Sequence, residues 1–443
     1  MGRFVAVSAV AAALLVFPSA ALAGWSAPRV LSFAHYSSYA NTAVAVDSRG
    51  DGAVAWESVG GWPAASQGRR CSPSPTRQGC FPLSSVHVAV RIAGGALVTR
   101  TLWSGRVDPT MHLSVVIGGA SVTVAWGYSP AASELETVRA AYGPLAGRWS
   151  PSRAIGRFIG LDPFFEYPQL ALAPSGAVLA AWNACVSSAC RWSARPGVTV
   201  AWRSLGRGFG AAQVVHDAAL GAFPQFDAGG TAYMYSHCSG RVLIAPGYSH
   251  RFSRAVMLTP GPALAMNLAV DGAGRGLASW VAGACSYDEA VGSTPGPVFV
   301  SRLRGGTFTG SRALTSSSTM AISDSAAAVA GGGTVSWAVY AVDGVPEPFS
   351  VQLGANGLVG ATDRGPGALI AIASDGGGDA VLEGAPGSGS LANRLFIRPA
   401  PGGGADQPAP AASGVAAAAP FGRAAAVAWY SGSAPLRLSL WSP

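Results

Sequence analysis

Aromatic and acidic side chains lie next to each other in two short segments of the sequence. Residues 161–169 read LDPFFEYPQ, and residues 34–41 read AHYSSYAN. A ring face offers apolar area, while a carboxylate or imidazole fixes hydroxyl and amino groups, so these residue types suit contacts with a sugar or a peptide. The candidate binding residues here are His35, Tyr36, Asp162, Phe164, Phe165, Glu166 and Tyr167. The structural alternative is that the rings fill space between sheets and the acids are solvated.

Asp108 and His112 form a second candidate group at the same expected surface. A histidine near an aspartate can serve as a general base or bind a ligand, although such a pair is more often a structural hydrogen bond. We include both as candidate binding residues and assign no catalytic residue.

Complete catalytic and metal-binding motifs are missing from the sequence. It contains neither G-x-S-x-G nor H-E-x-x-H, and a P-loop is impossible because the chain has no lysine. The stretch DSRGDG at residues 47–52 partly matches a calcium loop, but Arg49 occupies the third position. Its Arg49–Gly50–Asp51 tripeptide also occurs in adhesive proteins, yet glycine and aspartate are expected in a hairpin turn anyway. The sequence therefore predicts no metal and no cofactor.

The first 23 residues have the features of a signal peptide. Arg3 precedes an apolar run over residues 4–17, and ALA at residues 21–23 is a small-x-small cleavage site. The run is too short for a comfortable membrane span, and no later stretch is apolar enough for one. We expect a mature chain from Gly24 that is secreted or exposed on the exterior of the cell envelope, with no membrane span after cleavage.

The charge of the chain comes from arginine alone. Of 443 residues only 11% are charged, and the formal net charge is +8. Nucleic-acid binders cluster their basic residues into stripes or patches, whereas these arginines are scattered along the sequence. The composition therefore predicts no nucleic-acid partner.

Six cysteines in an exported chain are expected to form disulfides. Their spacing favours Cys71 with Cys80 and Cys185 with Cys190, which leaves Cys238 with Cys285. A zinc site is the alternative, but it calls for C-x2-C pairs with four converging ligands, and these spacings do not supply them.

A repeated unit supplies the elements that must position these residues. Each copy is an alternating strand, a glycine-rich turn and a second strand, as in AVAVDSRGDGAVAWE at residues 43–57. Eight copies end at Trp56, Trp126, Trp182, Tyr235, Trp280, Trp337, Glu383 and Trp429, about 53 residues apart on average. Two further strand-like runs follow each copy, and four short strands per repeat are typical of a propeller blade.

We therefore predict an all-β fold, with residues 24–443 forming a single β-propeller of about eight four-stranded blades, or seven if one weak unit is a loop. The phrase WSAPRVLS at residues 25–32 is similar to the outer-strand phrase WSPSRAIG at residues 149–156. After Trp429 the sequence shows one more strand-like run, PLRLSLWSP at residues 435–443, so the last blade lacks an outer strand. The N-terminal strand is expected to complete that blade and close the ring, which removes an exposed sheet edge.

Most long insertions follow the second strand of a unit, and they would lie on one face of the disc with the connections that enter each first strand. All six cysteines fall in these insertions. We call this face, with its predicted disulfides, the stapled loop face. Loops on a rigid scaffold commonly carry the function of a protein.

The repeats VAVDSRGDGAVAW and LALAPSGAVLAAW resemble the secreted bacterial propellers grouped as sialidase-like or BNR-type. The resemblance implies a propeller fold and a role with glycans. Sialidases also carry S-x-D-x-G-x-x-W boxes, an Arg-Ile-Pro near the start and a Tyr/Glu nucleophile pair. No unit here matches the box, and IRP at residues 397–399 has the wrong order and place. No catalytic residue is carried over.

Two functions from different classes remain. The first is an exported, monomeric binding or scaffold module that recognises a glycan or an extracellular protein through its stapled loop face. The alternative is a glycan-processing hydrolase with a carboxylate pair at the channel mouth, drawn from Asp108, Asp162, Glu166 and Asp217. Retaining and inverting hydrolysis need carboxyl groups about 5 Å and about 6.5–9.5 Å apart, respectively. The missing motifs favour binding over catalysis.

Overall fold

The computed structural model of the chain describes residues 24–32, 42–60, 83–93, 95–107, 112–129, 135–159, 168–184, 197–215, 223–235, 240–259, 263–270, 274–283, 296–317, 321–329, 332–340, 346–354, 357–363, 368–374, 379–384, 396–397, 407–408, 415–418, 424–429 and 436–442. The regular elements assigned in these ranges are all β-strands, which confirms the all-β prediction. The same ranges hold no helix with the length and apolar character needed to cross a membrane.

Six antiparallel sheets follow one another along the chain, after β1 (Gly24–Trp25) and β2 (Arg29–Ser32). The first sheet contains β3 (Thr42–Val46), β4 (Gly52–Val59), β5 (Leu83–Arg91) and β6 (Leu97–Arg106). The second contains β7 (His112–Gly118), β8 (Ser121–Tyr128), β9 (Leu135–Pro144) and β10 (Arg153–Ile159). The third contains β11 (Gln169–Leu172), β12 (Val178–Asn183), β13 (Val198–Arg203) and β14 (Gln213–Val215).

The next three sheets have the same plan. The fourth contains β15 (Phe223–Phe226), β16 (Ala232–Tyr235), β17 (Arg241–Ala245) and β18 (Arg254–Met257). The fifth contains β19 (Ala263–Val270), β20 (Gly276–Ala282), β21 (Val298–Arg304), β22 (Thr307–Phe308) and β23 (Arg312–Ala313). The sixth contains β24 (Ala321–Val329), β25 (Gly332–Tyr340), β26 (Pro346–Gly354) and β27 (Gly357–Asp363). Several four-stranded sheets with this connectivity are what propeller blades require.

The remaining strands form two small ladders and a terminal sheet. The ladders pair β28 (Ala368–Ser374) with β29 (Asp379–Gly384), and β30 (Phe396–Ile397) with β31 (Gln407–Pro408). The terminal sheet contains β32 (Val415–Ala418), β33 (Ala425–Trp429) and β34 (Leu436–Ser442).

The two ends of the described chain meet in this terminal sheet. β1 pairs with β34 through Trp25 opposite Trp441, and β2 pairs with the same strand. Ser26 lies between them, where its hydroxyl accepts a hydrogen bond from the Leu440 amide at 3.0 Å. The predicted pairing of the N-terminal strand with the last sheet is therefore present.

The first strands of successive sheets contact one another. β3 contacts β7, β7 contacts β11, and the series continues through β15, β19, β24 and β28 to β32. β32 in turn contacts β3. These strands are built mainly from small apolar residues, as close packing of first strands against each other requires.

Tryptophans from the second strands fill the spaces between neighbouring sheets. Trp56, Trp126, Trp182 and Trp280 are at most 2% exposed. Trp56, for example, packs with Leu436 and Leu438 of the terminal sheet. Burying one such ring contributes a few kcal/mol, so a tryptophan repeated at this place in each unit stabilises one interface after another.

Each hairpin between a first and a second strand lies at the same end of its sheet as the hairpin between the third and fourth strands. In the third sheet Val178, at the start of β12, pairs with both Leu172 and Arg203. We call this the hairpin end of the sheets. The long insertions after the second strands leave from the opposite end.

Candidate functional site

Most of the binding residues predicted from the sequence lie outside the described ranges. These are His35, Tyr36, Asp108, Asp162, Phe164, Phe165, Glu166 and Tyr167, together with Cys71, Cys80, Cys185, Cys190, Cys238 and Cys285. The loop face and the three disulfides therefore stay predictions.

Of the predicted binding residues, His112 falls within the described ranges. It is the first residue of β7, pairs with Gly127 and is half-buried. Burial lowers its pKa from 6.5 to about 4, because desolvation disfavours the charged imidazolium. The imidazole is therefore neutral at pH 7 and brings no positive charge to a ligand.

A serine and a histidine that sequence reasoning missed lie side by side on the first sheet. The Ser58 Oγ is 2.6 Å from the His87 Nε2, and the Thr101 Oγ1 is 3.1 Å from the His87 Nδ1. Trp56 stacks on the imidazole with ring centroids 5.3 Å apart. In a serine hydrolase the third group is a carboxylate that stabilises the imidazolium, whereas here it is a hydroxyl, and burial lowers the pKa of His87. This cluster has the geometry of a cross-strand packing contact.

In the Arg49–Gly50–Asp51 tripeptide the exposed arginine pairs with buried carboxylates of its own turn. The Arg49 Nη2 lies 2.9 Å from Asp47 and 2.7 Å from Asp51. The Asp51 carboxylate, on a residue 3% exposed, also accepts the Ala93 amide at 2.8 Å. Gly50 takes the left-handed φ of +81° that the turn needs. These contacts give the tripeptide a role within the turn, in agreement with the prediction from its position.

A pocket lies at the hairpin end, between the third and fourth sheets. It has a volume of about 300 Å³, at the lower limit for small-ligand sites. The hairpin between β13 and β14 supplies most of the wall, and the corresponding hairpin of the fourth sheet supplies the rest. The lining residues are Trp202, Ser204, Arg207, Gly208, Gly210, Ala211, Gln213 and His250.

Trp202 gives the pocket a fixed apolar floor. It sits next to the last residue of β13, pairs with Leu179 and is 7% exposed. Phe226 meets its ring edge-on at 5.9 Å, and Phe252 lies at 6.2 Å. Because both contacts come from the fourth sheet, the indole is held by the core on which the two sheets pack.

His250 covers one face of the Trp202 indole and lines the pocket beside it. Its ring stacks on Trp202 with centroids 4.5 Å apart and an interplanar angle of 17°. His250 and Tyr248 both have left-handed φ values, +54° and +55°, which non-glycine residues rarely adopt. The Tyr248 amide donates to the Gly230 carbonyl at 3.0 Å and its ring covers Gly230, where no Cβ would fit. This anchoring holds the hairpin in the conformation that places His250 over the indole.

The lining combines an apolar surface with hydrogen-bonding groups. Arg207, Gln213 and Ser204 are exposed on the hairpin, and they supply guanidinium, amide and hydroxyl groups. The described residues of the lining include no carboxylate and no cysteine. Guanidinium, amide and hydroxyl groups beside an aromatic surface are suited to binding a polar ligand.

The pocket was not predicted, because its residues carry none of the signals used to search the sequence. The two hairpins are short, contain no cysteine and lie at the end opposite to the long insertions. The signals that were present are Trp202 at the end of a third strand, Arg207 in the following turn, and His250 in the turn of the next repeat.

Comparisons with known proteins do not assign this chain to a family. No protein-family profile matches it, and no curated protein matches it in sequence. One similar structure is a chain of the mitotic checkpoint complex, with 10% identity, a TM-score of 0.42, and 100% and 99% of the two chains covered. Another is a polysaccharide lyase of family PL25, an ulvan lyase, with 10% identity, a TM-score of 0.49, and 73% and 90% covered.

A third is a protein of unknown function from Dyadobacter fermentans, with 12% identity, a TM-score of 0.40, and 74% and 93% covered. Likenesses of this size transfer no activity or ligand to the chain. The resemblance to sialidase-like propellers accordingly extends to the repeated β-sheet unit, and no sialidase-specific feature accompanies it.

Proposed function

We propose that the chain is an exported, eight-bladed β-propeller that binds a saccharide in the pocket bordered by the stacked Trp202 and His250 rings. The leader at residues 1–23 and the propeller at residues 24–443 are part of this proposal. The sequence holds eight copies of the repeat, each of which ends in a second strand. The first strands contact each other in series from β3 to β32, and β32 contacts β3. Both β1 and β2 pair with β34. These contacts support an eight-membered ring.

The observation that carries the binding function is the pocket itself. The stacked Trp202 and His250 rings present an aromatic surface to the pocket, and polar side chains from a hairpin surround the opening. Sugars have apolar C–H faces and a rim of hydroxyl groups, so a ring surface with convergent hydrogen-bonding groups fits them. A volume of about 300 Å³ accommodates one sugar residue of a longer chain.

The hydrolase alternative has less support. The lining residues that the structure describes do not include the carboxyl pair that hydrolysis needs. The acids considered for it, Asp108, Asp162, Glu166 and Asp217, lie outside the described residues. Recognition of a glycan or protein by the predicted loop face is compatible with a saccharide site at the hairpin end, because the two surfaces lie at opposite ends of the sheets.

A glycan-array screen of the oxidised protein, residues 24–443, tests the proposal. The wild type is expected to retain a defined group of glycans, and Arg207→Ala and His250→Ala are each expected to lose them. Arg148→Ala removes an exposed arginine from the equivalent hairpin of the second sheet and should leave retention unchanged. A folded wild type that retains no glycan, or retention that both pocket variants keep, would refute a saccharide site here.

The ring closure has its own test. Deleting residues 24–32 removes β1 and β2 from the terminal sheet and leaves an open edge on β34. The melting temperature should fall steeply, since the first and terminal sheets lose a shared partner. A truncated protein that melts near the wild-type temperature would contradict closure by these strands.

A further inference from the structure

Arg203 lies directly behind the pocket and is almost completely buried. It is the last residue of β13, between Trp202 and Ser204, which both line the pocket. The residue is 2% exposed, and its Nε and Nη2 have no hydrogen-bond partner in the part of the chain that the structure describes. Arginine stays protonated in proteins, so a positive charge is buried here.

The guanidinium is placed against the back wall of the pocket. Its Cζ lies 4.8 Å from the centroid of the Tyr142 ring, on the second sheet. The hydroxyl of the same tyrosine would lie 3.3 Å from a Cβ built on Gly208, which lines the pocket. The Tyr142 side chain therefore lies next to both the Arg203 guanidinium and Gly208 of the pocket wall.

The surrounding residues add positive charge and little negative charge. Between residues 168 and 317, the described residues contain one acidic side chain, Asp227. Asp227 is 7% exposed, and its carboxylate accepts hydrogen bonds from the Thr231 amide and the Tyr233 hydroxyl. The same ranges contain nine arginines: Arg203, Arg207, Arg241, Arg251, Arg254, Arg275, Arg302, Arg304 and Arg312.

An unpaired buried charge is expensive, and an anion held nearby offsets part of its cost. Arg207 stands at the opening of the pocket, where its guanidinium can bind a carboxylate through two parallel hydrogen bonds. The pocket thus has one arginine at its mouth and a second behind its wall, and its described lining residues include no acid.

We propose that the pocket selects a sugar that carries a carboxylate, with Arg207 binding the carboxylate directly and Arg203 favouring it through its buried charge. This rests on the proposed saccharide site and names its ligand class. Single-stranded nucleic acid fits less well, because it is bound by successive stacking rings along a basic groove, whereas the described lining holds one stacked pair, Trp202 with His250. An anionic membrane fits less well because the pocket is concave and the described residues beside it include few exposed apolar side chains, Leu205, Val214 and Tyr248.

Calorimetric titration with two matched probes, digalacturonic acid and galactobiose of the same linkage, tests the proposal. The wild type should bind the acid at least tenfold more tightly, and added salt should reduce that preference. A buried positive charge near the ligand carboxylate, in a medium of effective dielectric near 20, is expected to change affinity by roughly tenfold. Arg203→Met should therefore lower the affinity for digalacturonic acid by about tenfold, or about 1.4 kcal/mol. The affinity for galactobiose should not change.

The stability of Arg203→Met separates this role from a structural one. Replacing an unpaired buried charge with an apolar side chain of similar length should keep or raise the melting temperature. Arg207→Ala, at an exposed position, gives a second variant whose folding is not at risk; it should also lose the acid preference. Arg100→Met, on the first sheet, is the control and should change neither affinity.

Each other outcome overturns the proposal. If both disaccharides bind equally, or if Arg203→Met weakens both to the same extent, the saccharide site stands and the acid selectivity is wrong. If neither disaccharide binds while the glycan array is positive, this ligand class is wrong. The wild type could instead bind an oligodeoxynucleotide or phosphatidylglycerol vesicles and no sugar, with that binding lost in Arg207→Ala. This result would show that both the sugar-acid ligand and the saccharide site are wrong.

Discussion

Two neighbouring grooves have the same backbone arrangement at one end. One lies between the second and third sheets, and the other lies between the third and fourth. In the second sheet the Ser150 amide donates to the Tyr142 carbonyl at 2.8 Å. In the third the Gly210 amide donates to the Trp202 carbonyl at 2.9 Å. Tyr142 and Trp202 therefore occupy equivalent places at the ends of their third strands, and each faces the following sheet.

What differs is the side chain that meets each ring. The Arg203 guanidinium lies over Tyr142 at 4.8 Å and is buried there. His250 stacks on Trp202 at 4.5 Å, and a volume of about 300 Å³ stays open beside it. The repeat thus fixes the position of each groove, while a few side chains at the hairpins decide whether the groove is filled or able to hold a ligand.

The largest difference between the grooves should appear when their central rings are removed. Trp202→Ala deletes a ring that is 7% exposed and joins two sheets, so the free energy of unfolding should fall by about 3–5 kcal/mol. Tyr142→Ala should cost clearly less, because Tyr142 is half-buried. Urea denaturation of both variants measures the difference. Equal losses would show that the two rings have the same packing role.

The repeat and its pairing could be predicted because they follow from local patterns. Alternating strands, glycine-rich turns and a large aromatic at the end of the second strand recur at Trp56, Trp126, Trp182 and Trp280, and all four are buried as expected. The similarity between residues 25–32 and the outer strands predicted the pairing of β2 with β34. These features depend on residues near one another in the repeat.

The pocket could not be predicted in the same way, because it depends on contacts between repeats. His250 contacts Trp202 from a hairpin almost fifty residues away in the sequence. Its backbone φ of +54° is not predicted by the local sequence. The burial of Arg203 likewise depends on Tyr142 of the preceding sheet. A charged residue at a strand end is expected to be solvated, and only the packing of the neighbouring sheet places this one in the interior.

Acid should weaken the second sheet before the third. The pKa of His112 in the folded protein is about 4, below its ordinary 6.5, so the unfolded chain binds the proton more readily. Stability is therefore complete above pH 6.5 and is lost as the pH falls toward 4, by at most about 3 kcal/mol.

Hydrogen exchange at pH 7 and pH 4.5 checks this order. Protection should fall more in β7–β10 than in β11–β14, and His112→Gln should remove the difference. If the variant keeps the same acid response, another group is responsible. If both sheets lose protection together in the wild type, the two sheets unfold as one unit, and acid does not distinguish the grooves.

Gly143 in the second sheet occupies the position that Arg203 occupies in the third. A Cβ on Gly143 would lie 2.4 Å from the Trp149 Cγ, so Gly143→Ala must displace that ring and should destabilise the protein by about 1–3 kcal/mol. Gly210→Ala is the matched control, since its Cβ would meet the Trp202 carbonyl at an ordinary 3.7 Å. Thermal melts of both variants measure the effect. A harmless Gly143→Ala would mean that Trp149 is not needed to close the hairpin of the second sheet.

The smallest effect on stability should accompany the sharpest difference in binding. Arg148 and Arg207 are exposed arginines in equivalent hairpins, and replacing either with alanine should change the free energy of unfolding by less than about 0.5 kcal/mol. Both variants lose one positive charge, so a general electrostatic contribution to ligand binding would weaken them alike. Arg207 borders the pocket between the third and fourth sheets, and we therefore expect Arg207→Ala alone to lose saccharide affinity in a calorimetric titration. Equal losses would place binding in the overall charge of the hairpin end and remove the distinction between a filled groove and an open one.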